Sequence, residues 1–189
     1  MVFSVNRNSS SDDVANKSVS SNKVDSSKKF TLDTPYKLQW NSILSSIHVQ
    51  TGESIGIFYD ESSTESNPVM LARIIEPDGK VNEVKVDINS VDPNKASYVE
   101  MLALSAYLKS EGKIDGAAGE FATMVYESRI KEANNDNIYS KENFVTAMQD
   151  LVNTAFKNRQ MDMYLIYMKE LDIYRDWLKN NGWTLHDVG

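Results

Sequence analysis

Apolar residues recur at helical spacing through the second half of the chain, and four helices are predicted after Ile88. The first of them covers residues 98–108. Ser97 and Glu100 form a capping-box pattern at its start, and Gly112 is its predicted stop. Nearly all of its residues are apolar or small, so we expect this helix to be buried on most sides.

The next two predicted helices are amphipathic. One runs from about residue 117 to residue 133, and the asparagine-rich residues 134–137 end it. Ser140 is the predicted N-cap of the following helix, which has the clearest apolar stripe in the chain. That stripe consists of Phe144, Val145, Met148, Leu151, Val152, Ala155 and Phe156. The pattern predicts a helix that packs on the core through one face.

The last predicted helix, residues 160–180, spreads its apolar residues around more than one face. Two interpretations are open: all of them pack into the core of the domain, or some of them bind a partner. The position of the helix at the end of a four-helix body favours the first interpretation, while methionine and aromatic side chains are frequent interface anchors and keep the second one open. Gly182 is the predicted stop, and Trp183 is expected to pin the chain end to the body. The candidate partner-binding residues are Met163, Tyr167, Tyr174 and Trp177.

Three strands are predicted ahead of these helices, at residues 53–60, 69–76 and 81–88, because apolar and polar residues alternate there. The tripeptide Pro77-Asp78-Gly79 separates the last two strands. Proline presets φ for a type I turn, and glycine supplies the positive φ of the bulge residue that follows it. The last two strands are therefore predicted to form a hairpin.

The three-residue turn fixes the register of this predicted hairpin. One face of the third strand is apolar and the other is charged, so the apolar face is expected to pack on the core. The second face of the neighbouring strand also carries apolar residues, and we expect it to be partly covered. The predicted core-face pairs are Ala72 with Val84 and Met70 with Val86, and the predicted second-face pairs are Arg73 with Glu83 and Leu71 with Lys85.

One more helix is predicted before the strands. Its expected start is Thr34-Pro35, its apolar positions are Trp40, Ile43, Leu44 and Ile47, and its expected end is Thr51-Gly52. The predicted fold is therefore α+β. It combines a three-stranded antiparallel meander with one preceding helix and about four following helices, and the 98–108 helix lies across the core face of the sheet.

Residues 1–33 differ in composition from the rest of the chain: nine of them are serine, and apolar residues occur singly. Such a stretch buries too little apolar surface to offset an ordering cost of roughly 1–2 kcal/mol per residue. We therefore predict a disordered serine-rich tail at residues 1–33 and a single α+β domain at residues 34–189. The tail carries a formal charge of +1. Because the whole chain carries −7, the body carries −8.

Charge and composition narrow the classes of function. The chain has 27 acidic and 20 basic residues, which argues against a dedicated nucleic-acid binder because affinity for phosphates rests on Lys and Arg. The absence of cysteine excludes disulfides, thiol catalysis and Cys-ligated metals. The two histidines, His48 and His186, are not predicted to be catalytic. No apolar run approaches a membrane span or a secretory signal, so we expect a soluble, cytoplasmic protein, with export by another route as an open alternative.

The sequence contains only incomplete matches to the motifs that bind metals or nucleotides or carry out catalysis. A calcium loop starting at Asp87 lacks the required glycine and the final glutamate. Residues 112–119 lack the ending of a phosphate-binding loop. Asp60, Glu61 and Glu65 have the side chains for paired-carboxylate chemistry, but their Ser- and Asn-rich surroundings favour a solvated loop. We therefore predict no catalytic residue, cofactor or metal site.

The leading functional hypothesis is a non-enzymatic, cytoplasmic protein-interaction module. It would use the exposed part of the last helix, or the second face of the sheet, to bind a protein partner or a second copy of itself. One alternative is a small-ligand-binding protein or an enzyme built on carboxylates and tyrosines, and a pocket that holds two or more such groups would favour it. Another alternative is an exported bacterial-type protein whose tail is the delivery segment.

Overall fold

The computed structural model of the protein describes residues 41–47, 52–115, 120–132 and 135–184. Within them, strands Leu44–Ile47 (β1), Ser54–Tyr59 (β2), Val69–Ile75 (β3) and Val81–Asp87 (β4) form one antiparallel sheet in which sequence neighbours pair. Helices Tyr98–Ser110 (α1), Glu120–Val125 (α2), Phe144–Lys157 (α3) and Met161–Asn180 (α4) follow. The α+β class is confirmed. The predicted tail, His48 and His186 lie outside the described residues.

The predicted first helix is wrong in its described part, which forms β1. Leu44 lies opposite Ile57 of β2 and Ser46 lies opposite Ile55, and the Ile43 N–H donates to the Ile57 carbonyl at 2.8 Å. An isolated helix of two turns is marginal, whereas the edge of β2 offers this segment a ladder of backbone hydrogen bonds. The sheet therefore has four strands rather than the predicted three.

The β3–β4 hairpin has the predicted turn and register. The Glu76 N–H donates to the Lys80 carbonyl at 2.9 Å, and Gly79, at a φ of +87°, donates to the Glu76 carbonyl at 2.8 Å. All four predicted residue pairs are present. On the second face, Arg73 Nε lies 2.8 Å from Glu83 Oε1, so this cross-strand pair also forms an ion pair.

Helix α1 contacts the core face of β2 and β3, as predicted. Its start is the predicted capping box: Ser97 Oγ accepts from the Glu100 N–H at 3.3 Å, and Glu100 Oε2 accepts from the Ser97 N–H at 2.7 Å. Gly112, at a φ of +67°, follows its end. The helix is buried on most sides because the sheet covers one side and the later helices cover others.

Ser140 is not the N-cap of α3; Asn143 takes that position, and its Oδ1 accepts from the Thr146 N–H at 2.9 Å. The prediction fails because Glu142 pairs with Ala96 in a short antiparallel bridge. This pairing keeps the backbone extended up to the residue before the cap. Ser140 Oγ instead donates to the Glu142 carboxylate at 3.3 Å.

Helix α2 continues directly into a π-helical turn at Tyr126–Ile130, and the predicted start of this helix near residue 117 lies outside the described residues. At the other end of the helical region, Gly182, at a φ of +75°, follows α4. Trp183 is half-buried and packs against the core. The predicted stop and the predicted pinning of the chain end are both present.

Candidate functional site

Three of the four candidate residues on α4 belong to the core of the protein. Tyr174 is fully buried and shares a hydrogen bond of 2.7 Å with Ser105 of α1. Trp177 is buried, and its Nε1–H donates to the Val91 carbonyl at 3.1 Å. Tyr167 is also buried, so none of these three side chains offers an exposed contact surface.

The partners of Tyr167 lie on α2. Its ring stacks on Phe121 with centroids 5.0 Å apart, and its hydroxyl donates to Met124 Sδ at 2.8 Å. Tyr167 therefore joins α4 to α2, as Tyr174 joins it to α1. One side of α4 packs against the rest of the protein through these residues.

The first two turns of α4 are exposed on its outer side and also at Met163, which lies one turn before Tyr167 on the side that later packs on the core. Leu165 is 62% exposed, Ile166 53%, Met161 46% and the fourth candidate, Met163, 37%. Phe156, at the end of α3, is 58% exposed, and its ring lies 5.4 Å from that of Tyr164. The apolar surface of α4 is thus divided between the core and solvent.

Phe156 departs from the predicted stripe because of where α3 ends. The helix stops at Lys157, and the chain reverses through Arg159, at a φ of +59°, before α4 begins. Phe156 therefore projects at the corner between the two helices, while Met148 and Val152 of the same stripe are buried.

We call the exposed residues at this corner the corner patch. It comprises Phe156, Met161, Met163, Leu165 and Ile166. Their exposed fractions correspond to on the order of 500 Å² of apolar surface, within the range of the largest patch on a typical monomer. Sequence reasoning identified only Met163. The available signal was that the first six residues of α4 are apolar on all sides except at Asp162.

The second face of the sheet, the other predicted surface, is less apolar. Arg73 and Glu83 form their ion pair on it, and the Arg73 guanidinium carbon lies 5.0 Å from the centre of the Phe58 ring. Leu71 and Ile75 are half-buried. This face therefore carries a charged pair among its apolar side chains and is a poorer docking surface than the corner patch.

A cleft of about 370 Å³ lies between the β2–β3 loop and the end of α1. We call it the acidic cleft. It is lined by the aromatic residues Tyr59 and Tyr107, by the carboxylates Asp60, Glu65 and Glu111, and by Ser63, Thr64 and Pro68. The predicted carboxylates Asp60 and Glu65 thus lie together, whereas Glu61 is exposed and does not line the cleft.

Asp60 is the buried carboxylate of this cleft. It accepts hydrogen bonds from the Ser62 hydroxyl and from the Ser62 N–H at 2.9 Å, and Lys85 Nζ lies 3.0 Å away. These donors hold its pKa down at about 2. Asp60 is therefore ionised at any ordinary pH and has no proton to give to a substrate.

Tyr107 is the second group of the cleft with a shifted pKa. Partial burial raises it, and the nearby Glu111, Tyr59 and Glu65 add to the effect. Tyr107 therefore keeps its proton at neutral pH and is a poor general base. With Asp60 ionised and Tyr107 protonated, the cleft is better suited to binding a ligand than to proton transfer.

In the described part of the chain, no three acidic or histidine side chains converge as metal ligands, and none of the helices combines the length and the apolar character that a membrane span requires. Comparison of the chain with protein-family models, curated proteins and solved structures found no match.

Proposed function

We propose that this protein is a protein-interaction module whose contact surface is the corner patch, acting in the cytoplasm as its sequence suggests. The observation that carries the proposal is the exposure of five large apolar side chains at the corner between α3 and α4, four of them on the first two turns of a helix whose later turns pack on the core. Exposed apolar surface of this size often marks a binding site. Met161 and Met163 suit such a surface because methionine adapts its shape to a partner.

The size of the patch limits the strength of the contact. Removing about 500 Å² from water gives a gross gain of roughly 12 kcal/mol. Association costs about 4–15 kcal/mol in lost translational and rotational freedom. The patch alone therefore supports a weak or transient complex, and the polar groups around it decide which partner it prefers.

Photo-cross-linking in the cells that make the protein tests this proposal. A photoreactive phenylalanine analogue placed at Leu165 of the full chain is expected to form a polypeptide adduct. The same analogue at Val81 of β4, which is 52% exposed, is the matched control and should form none. Adding Ile166→Glu should abolish the Leu165 adduct, because a charge in the patch opposes apolar contact. Absence of the Leu165 adduct, or an equal adduct at Val81, would contradict the proposal.

A second candidate function, the binding of a small organic cation, is favoured by the acidic cleft. Its two tyrosine rings offer π faces, and cations are attracted to such faces. Lys85, the cation nearest Asp60, balances only one of the three carboxylates. Glu65 and Glu111 leave the cleft with a negative potential that suits an ammonium group.

Titration with tetramethylammonium, followed by NMR of the tyrosine rings, tests this second candidate. We expect saturable shifts of the Tyr107 signals, and we expect Glu111→Gln to weaken binding about threefold, the effect of removing one exposed charge. Glu83→Gln on β4 is the matched control and should leave the affinity unchanged. No saturable shift, or equal weakening by both variants, would rule out the cleft as a cation site.

A further inference from the structure

The outer stripe of α4 carries charges in a regular order around the corner patch. Asp162 lies three residues before Leu165 and Lys169 lies four residues after it, and all three side chains are exposed. Residues at these spacings share one face of a helix. Outside this set, Arg159 precedes Asp162 and Asp172 follows Lys169, both also exposed. Read along the chain, the order is positive, negative, leucine, positive, negative.

This order is complementary to its own reverse. If a second copy of α4 runs antiparallel against the first, Leu165 lies beside the partner's Ile166 and Asp162 lies beside the partner's Lys169. Asp172 then lies at the end of the contact nearest the start of the partner helix, which Arg159 precedes. A parallel arrangement would instead place like charges together, which is unfavourable. The stripe therefore favours the antiparallel, two-fold arrangement.

We infer that the partner of the corner patch is a second copy of this chain, packed with its α4 antiparallel across a two-fold axis. The inference rests on the proposed function and names its partner. In a two-fold contact the same patch is used twice. Because Met163 faces away from Leu165 on the helix, the contact covers only part of the patch, and the total apolar area buried stays below about 1,000 Å², the size of a weak or transient interface.

The contacts that these charges already make are weak enough to be exchanged. Lys169 Nζ lies 3.1 Å from Asp115, with both side chains mostly exposed, and Asp172 lies 3.3 Å from Arg175 on its own helix. Exposed pairs of this kind contribute little. When the proposed contact covers Leu165 and the partner's Ile166, the intermolecular pairs beside them are better shielded from water and therefore stronger.

The net charge of −7 on each copy opposes the association at long range. At physiological ionic strength charges farther apart than about 8 Å are largely screened, whereas close pairs are screened much less. The local order of charges therefore outweighs the net repulsion at the contact. Association is expected to be concentration-dependent and weak.

Sedimentation equilibrium of the full chain tests the inference through a charge swap. Asp162→Lys alone and Lys169→Asp alone each place like charges in contact and should weaken self-association at least tenfold. The double variant D162K/K169D restores opposite charges in the antiparallel arrangement, so its dissociation constant should return to within about threefold of the wild-type value. Glu61→Lys, an exposed reversal in the β2–β3 loop, is the control and should have little effect.

A monomeric wild-type protein at all concentrations overturns this inference, as does a double variant that associates no better than the single variants. The failure of the proposed function is distinguishable from these outcomes. If the wild-type chain is monomeric but Leu165 cross-links to a different polypeptide, the patch is an interaction surface with another partner. If the chain is monomeric and Leu165 forms no adduct, both proposals fail.

Discussion

Replacing Trp177 with alanine is expected to lower the free energy of unfolding by about 4 kcal/mol. The side chain is only 8% exposed, and its indole ring packs edge-on against Tyr107 with centroids 6.0 Å apart. Truncation removes this packing and leaves a cavity between α1 and α4. It also leaves the Val91 carbonyl without its indole donor, and an unsatisfied buried acceptor adds about 1–3 kcal/mol to such a loss.

Urea unfolding of the purified full chain measures this loss. Leu165→Ala, on the exposed side of the same helix, is the matched control and should change the free energy of unfolding by no more than about 0.5 kcal/mol. Trp177→Phe keeps much of the packing and loses the hydrogen bond, so we expect an intermediate value. Equal stabilities for the Trp177→Ala and Leu165→Ala variants would contradict the division of α4 into a buried and an exposed side.

The stability of the wild-type protein is expected to fall as pH rises from about 4.5 to about 7, through the titration of Glu170. This half-buried residue lies on α4 between Tyr167 and Tyr174, and its Oε2 accepts no hydrogen bond from the described residues. Burial raises its pKa to about 7. Glu120 on α2 adds to this effect, and Lys169 opposes it.

The direction of this change in stability depends on which state, folded or unfolded, keeps the proton on Glu170. Between pH 4.5 and 7 the folded protein keeps a proton on Glu170 that the unfolded chain has already released, so raising the pH favours unfolding. Across the whole window the loss is about 2 kcal/mol, after allowance for the partial exposure of the side chain. Above pH 7 this contribution is constant.

Glu170→Gln isolates the effect, because the amide has a similar shape and does not titrate. At pH 8 the variant should be about 2 kcal/mol more stable than the wild-type protein, and at pH 4.5 the two should be nearly equal. Glu142→Gln serves as a control for the loss of a carboxylate elsewhere. Urea unfolding curves at pH steps between 4.5 and 8 give the comparison. Wild-type and Glu170→Gln curves that stay parallel across this window would show that Glu170 does not titrate there.

The parts of the fold that were predicted correctly are those specified by neighbouring residues. Pro77, Asp78 and Gly79 determine their own turn, and this turn determines the pairing of Arg73 with Glu83. The α1 capping box is equally local. The prediction of the first helix was wrong because Leu44 pairs with Ile57 of β2. The local pattern of apolar residues is compatible with a short helix as well as with a strand, and only the pairing with β2 decides between them.

The candidate site was less predictable because contacts between residues far apart in the sequence decide which of its side chains are buried and which are exposed. Whether Tyr174 faces solvent depends on Ser105, which lies 69 positions earlier in the chain. Asp60 and Glu65 are close in sequence and could be proposed as a pair, but Tyr107 and Glu111 reach the same cleft from another element. Periodicity indicates that a helix has excess apolar surface, and only the packing shows which residues carry it.

The exposure of the methionine methyl groups is the most direct test of the corner patch as a free contact surface. With 13C-methyl labelling and a paramagnetic co-solute, dilute protein should show strong broadening of the Met161 and Met163 signals. The Met70, Met101 and Met148 signals should be unaffected, because these side chains are fully buried. Equal protection of all five methyl groups in dilute solution would contradict the proposal, since the patch would then be covered by the protein's own chain.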